Sequence, residues 1–197
     1  LRLFSLILFF CFSLGLVNSS LFSEQHYISE DEQFHIDRFN FSGAFPEMET
    51  MEIHAQRKKR VYFDASGDFP RLTSIVYQGS FGFLRGKLTG NYPELTALEF
   101  SCSSCKMDLD FRGTWHKHTH ITVNNESERV TLVLPKNVGV VVHTQVSTKG
   151  KVMVEGDLVQ RGRGIWKKTY SNSLVDVAPV TLVFNVQSRS GGTIVLR

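Results

Sequence analysis

Charge of one sign is what this sequence most plainly lacks. Over 197 residues the formal net charge is +3, and binding a phosphate backbone needs a concentrated basic surface that so small an excess does not supply. Nucleic acid is therefore not expected as a partner. Helical periodicity is missing from every stretch beyond the first twenty residues, which excludes a helical domain. The motifs of nucleophilic catalysis are missing as well: there is no G-x-S-x-G elbow, and no histidine has an obvious serine partner. No catalytic residue, no cofactor and no enzymatic activity are expected. Only one long apolar run exists, Leu3 to Val17, and it falls short of the roughly 18 to 20 apolar residues that a spanning helix needs.

That run is preceded by Arg2 and followed by the small, polar Asn18 to Ser20, the layout of a secretory signal peptide over residues 1–20. An uncleaved signal serving as a membrane anchor is the alternative. Cleavage near Ser20 would remove Arg2 and Cys11, lowering the charge to about +2 and leaving two of the three cysteines. The chain as a whole has a hydrophobic fraction of 42% and a charged fraction of 21%, ordinary values that suit one globular domain. Residues 21–44 are polar, acidic in the middle and without clear period, and read as a linker. The domain is expected over 45–197.

Within that domain the chain repeats itself. FPEMETMEIHA from Phe45, FPRLTSIVYQG from Phe69 and YPELTALEFSC from Tyr92 each run aromatic, proline, then apolar at the fourth, seventh and ninth positions, with starts 24 and 23 residues apart. Periods of this length signal a solenoid or an array. The later part of each unit is a strand: Met107, Leu109 and Phe111 alternate with Asp108, Asp110 and Arg112, the period-two pattern of one buried and one wet face. A shift of 23 sets Arg85 and Lys87 against Asp108 and Asp110, so opposite charges should lie on neighbouring rungs. The expected fold is all-β, a single-stranded β-solenoid with rungs of about 23 residues.

The same shift places Cys102 and Cys105 on Gly79 and Gly82, a corner where the other copy uses turn-permissive glycine. In an exported chain the pair is expected to close that corner as a disulfide. Free thiols, or a metal or redox role, are the alternatives, although the βαβ context of a thioredoxin-type site is not seen.

MDLDFRGTW (Met107 to Trp115), RVTLVLPKNVGVVVHT (Arg129 to Thr144) and the final SGGTIVLR resemble a bacterial superfamily, the toast-rack domains of the cell-wall-active-antibiotics-response and "putative adhesin" type. The resemblance covers roughly Phe69 to Arg197. It implies a β-solenoid at the bacterial envelope and carries over no catalytic residue. The membrane helices through which some members signal are not found in this sequence, which favours an exported, soluble or surface-associated member.

Three clusters stand out as candidate sites. In HKHTH, His116, His118 and His120 share one parity, so they should line the outer face of one strand about 6.5 to 7 Å apart, where two could hold zinc or copper. A plain polar face is the simpler expectation. RGRGIWKK combines Arg161, Arg163, Lys167 and Lys168 with Trp166, the composition of an adhesive hairpin tip for sugars or a membrane interface. QRKKR (Gln56 to Arg60) is a solvated corner or a contact for anionic lipid or glycan. Asp108 and Asp110 have the chemistry of a glycan-cleaving pair, but their expected pairing with Arg85 and Lys87 favours a structural role. The function expected from all this is a non-enzymatic exported envelope protein presenting a surface to a protein, glycan or membrane partner. An envelope-stress or ligand sensor is the alternative, and a glycan-active enzyme on a β-helix the second.

Overall fold

A computed structural model describes residues 5–8, 35–162 and 164–197 of the chain. The signal-peptide expectation for residues 1–20 therefore lies outside the described residues, except for four of them. Among the described residues every regular element is a strand: β1 (Ser5–Leu8), β2 (His35–Asn40), β3 (Thr50–Asp64), β4 (Ser74–Lys87), β5 (Asn91–Tyr92), β6 (Ala97–Asp110), β7 (Thr114–Trp115) and β8 (Thr119–Asn125) come first. They are followed by β9 (Val130–Val133), β10 (Gly139–Val146), β11 (Lys151–Val154), β12 (Val159–Gln160), β13 (Lys167–Ser171), β14 (Thr181–Ser188) and β15 (Thr193–Leu196). No helix among the described residues is long and apolar enough to cross a membrane.

The all-β expectation holds, and the 23-residue spacing of the sequence reappears as strand register. Ser74 lies beside Thr50, Ala97 beside Ser74 and His120 beside Ala97, all in parallel pairing. Each of β3, β4 and β6 is 14 or 15 residues long, and β6 pairs through its first half with β8 and through its second half with β9. The long strands therefore have two arms joined by a bend. Alternation then sends one set of side chains inward from each arm. Met51, Ile75, Leu98, Ile121 and Phe184 form one inward column, and Val61, Leu84, Met107, Val130 and Ile194 form another. All ten are buried in a single core.

Two expectations need correction. The stretch 21–44 is not all linker: β2 lies inside it, in parallel register with the second half of β3, and Phe41 is buried in the core. HIDRFN alternates weakly and is interrupted by charge, which hides a strand whose inward contribution is chiefly Phe39. The second correction concerns order. The strands are stacked as β6, β8, β14, β10 on one arm and as β6, β9, β15, β11 on the other. The last two strands of the chain are thus inserted between pairs made earlier in the sequence. Beyond β10 the pairing turns antiparallel, with β13 and then β12 closing that end. A reversed hairpin covers the polar edge that β10 would otherwise present to another chain. The result is a mixed sheet, not an uninterrupted parallel series.

At a second corner the repeat becomes visible as packing. Phe45, Phe69, Tyr92 and Trp115 stack in order, with ring centres 5.2, 5.5 and 5.1 Å apart. Two residues before Phe69, Tyr92 and Trp115 stand Gly67, Gly90 and Gly113. A Cβ on these would come within 2.7 Å of Phe41 O, 2.8 Å of Ala65 O and 2.7 Å of Leu88 O respectively. Only glycine lets the backbones approach so closely.

Buried phenols make the fold sensitive to alkali. Burial, with a smaller contribution from the Asp37 charge, pushes the Tyr77 hydroxyl up to about 12 from its ordinary value near 10. The neutral phenol is the form the core accepts, so its contribution is fully present below pH ~10 and disappears as pH rises towards ~12. Tyr77→Phe should remove part of the stability loss across that window. A urea titration at several alkaline pH values giving the same slope for both proteins would refute this.

Candidate functional site

The hairpin of β12 and β13 places the RGRGIWKK segment at the end of the sheet order. Val159 and Gln160 pair with Ser171 and Tyr170, and because Tyr170 and Ser171 are buried, the hairpin base is fixed while Gly162 and residues 164–166 belong to its tip. Ile165 is 76% exposed and Trp166 48%. The Trp166 carbonyl accepts a hydrogen bond from Val146 N at 3.1 Å, anchoring the tip to β10. The cations are not equivalent. Arg161 Nε donates to Ser171 Oγ at 2.9 Å and is drawn back along the hairpin, Lys168 is half-buried, and Lys167 faces solvent. Arg163 lies outside the described residues. An apolar pair flanked by a cation suits an interface with one apolar and one wet side.

The histidine triplet does not form the expected row. Only His120 lies in a strand, β8, while His116 and His118 occupy the turn between β7 and β8. His116 Nε2 is 2.9 Å from Asn91 Oδ1, and His118 Nδ1 accepts a hydrogen bond from Thr181 N at 3.1 Å. Shifted by 23, His116 replaces Pro93, so this segment is a fourth copy of the aromatic-proline corner and not the start of a strand. Among the described residues no three His, Cys, Asp or Glu are grouped to hold a metal ion.

Cys102 and Cys105 are joined as a disulfide, their Cα atoms 5.8 Å apart. They sit at the bend of β6, in register with Gly79 and Gly82 of β4. Buried Asn125 holds the same bend from the next strand: its Nδ2 donates to Cys105 O at 2.8 Å and to Glu128 O at 3.1 Å, and its Oδ1 accepts from Cys105 N at 3.4 Å. The disulfide closes so short a loop that the chain-entropy contribution is only about 2 kcal/mol. Replacing both cysteines by alanine should therefore lower the urea midpoint modestly while Asn125 keeps the bend. Loss of the cooperative transition in the double variant would show the disulfide to be indispensable.

Beside the bend lies an open depression of about 290 Å³. Gln78, Ser101, Asn124 and Gln187 line it, one from each of β4, β6, β8 and β14 and all in register. Amides and hydroxyls in such a row offer hydrogen bonds to a hydroxyl-rich ligand. Sequence reading missed this site, although three of its residues recur at the 23-residue spacing. Nothing local could supply Gln187, which arrives with the inserted β14.

The two aspartates are tied to cations. Asp108 lies 3.8 Å from Arg85, and Asp110 lies 2.6 Å from Arg112, while Lys87 bonds Asp64 at 3.3 Å. Burial pushes the Asp110 carboxyl up, but hydrogen bonds from the Arg112 side chain and backbone, with the charges of Arg112 and Lys87, outweigh it and hold the group below the usual carboxylate range. A glycosidase acid needs the opposite displacement.

A scan of known protein families and a search of curated proteins give no match. The fold is similar to the solved structure of a putative cell adhesion protein from Clostridium sporogenes, with a TM-score of 0.56 and 14% sequence identity over 81% of this chain and 90% of that one. At that identity the likeness establishes shared architecture.

Proposed function

We propose that this chain is a non-enzymatic, exported β-solenoid of the bacterial envelope that works by presenting a surface for binding, in the manner of an adhesin. The exposed pair Ile165 and Trp166 at the tip of the β12–β13 hairpin carries the reading. Large apolar side chains exposed on a hairpin whose base is buried mark an interaction site. Parallel stacking at offsets of 23 and 24 residues supports the solenoid, and the shared architecture with a putative cell adhesion protein supports the adhesive role.

The test is retention of purified protein on isolated bacterial envelopes. Ile165→Ser with Trp166→Ala should lower retention by about tenfold, the order expected when an anchoring aromatic is truncated, while the unfolding transition stays where it was. Equal retention of the variant and the parent would rule the tip out.

A further inference from the structure

The outer face of the second arm, formed by β2 and the second halves of β3, β4 and β6, carries an ordered array of rings and cations. One row across the strands reads Arg38, Tyr62, Arg85, Asp108, and the row beside it reads Ile36, Arg60, Phe83, Lys106. The Arg38 guanidinium lies 5.6 Å from the Tyr62 ring centre, and that of Arg85 lies 6.0 Å from Tyr62 and 5.5 Å from Phe83. Lys106 Nζ is 5.6 Å from the Phe83 centre, and the two rings meet edge to face at 5.7 Å. Where the strands bend, Phe81 is 54% exposed, in register with Lys58 on one side and Ser104 on the other. The two rows hold one carboxylate, that of Asp108, against four cations.

We propose that this face binds an acidic polysaccharide lying across the strands. Guanidinium and ammonium groups would take its carboxylates, while the rings hold those cations in line and offer their exposed edges to the sugars. The strands repeat every 4.7 to 4.9 Å or so, so a linear polymer meets one ring or one cation at each step. Charge complementarity selects an anionic occupant, and the layout selects a polymer over a bilayer. Tyr62 and Phe83 are half-buried beneath their cations and do not protrude as an inserted wedge would. A row containing Asp64 and Asp110 runs alongside, and a broad anionic membrane would have to cover those carboxylates while a single chain need not. The inference deepens the surface-binding reading by naming a ligand class, but it uses a face separate from the hairpin tip.

The experiment measures binding of the purified protein to soluble polyuronate, to neutral dextran and to vesicles of anionic phospholipid, at low and high salt. Polyuronate should bind and dextran should not, with affinity falling steeply as salt is raised. Arg38→Gln with Lys106→Gln should weaken polyuronate binding by about tenfold or more. Tyr62→Leu with Phe83→Leu keeps every cation and should still weaken it several-fold, which separates a ring-ordered array from simple ion exchange. No polyuronate binding, or binding indifferent to both double variants, overturns the proposal, as does residue-dependent binding of vesicles in its place. The tip variant Ile165→Ser with Trp166→Ala should bind polyuronate normally, so the two readings fail independently.

Discussion

Deleting Thr193 to Arg197 should unfold the protein, not merely fray its end. In most chains the last few residues are expendable because they lie at an edge. Here they form β15, placed between β9 and β11, with Ile194, Val195 and Leu196 all buried. Removing three such side chains forfeits about 1.5 to 3 kcal/mol each in apolar burial. The total of about 5 to 9 kcal/mol rivals the whole stability of a typical domain, about 5 to 15. Backbone groups add to the loss, since Arg197 O accepts from Leu134 N at 2.8 Å and Leu196 O from Glu155 N at 2.7 Å. Both donors would be orphaned. β11 would be left without its paired strand. The truncated chain is expected to lack a cooperative urea transition, and Leu196→Ala alone should cost about 2 to 5 kcal/mol. A truncated protein that still unfolds cooperatively near the parent's midpoint would mean that β15 is peripheral.

The same insertion marks where sequence reading stops. Alternation in KMDLDFRG and the spacing of Phe45, Phe69 and Tyr92 are local facts, and each is enough to place strands and their register, including Arg85 against Asp108. The position of β14 and β15 is not a local fact. β10 and β14 both place apolar residues at alternate positions, Val140 and Val142 in one and Leu182, Phe184 and Val186 in the other, and nothing in either pattern says which lies beside β8. The pairing is decided by how the columns fill: Phe184 completes the column of Ile121 and Val142. The tip can be read from composition because Trp166 among cations is unusual in any setting. The array around Tyr62 and Phe83 is legible only in part: the 23-residue shift aligns Tyr62 with Arg85 and Arg60 with Phe83 and Lys106, but Arg38 arrives with β2, a strand that the weak alternation of HIDRFN hides. His116 shows the opposite failure. Parity suggests a row of imidazoles, but Gly113 and Trp115 identify the segment as another corner, which turns before the strand begins at Thr119.

That corner carries the second large effect. Tyr92→Ala should destabilise the protein by about 3 to 5 kcal/mol, more than the same change at Phe45. Tyr92 is fully buried between Phe69 and Trp115, and stacked ring pairs contribute roughly 0.5 to 1.5 kcal/mol each beyond area burial. Its hydroxyl donates to Ala65 O and accepts from Gly90 N at 3.3 Å, so truncation also leaves two backbone groups of the tight glycine corner without this partner. Tyr92→Phe isolates that part and should cost about 1 to 3 kcal/mol. Phe45 has one ring neighbour along the column, Phe69, and is only partly buried, so its loss opens a smaller cavity that solvent can reach. Urea midpoints of the three variants give the ranking. If Phe45→Ala proved as damaging as Tyr92→Ala, the stack would be acting as one cooperative column, not a set of neighbouring contacts. If Tyr92→Ala cost under about 1 kcal/mol, the aromatic repeat would not be what holds this corner closed.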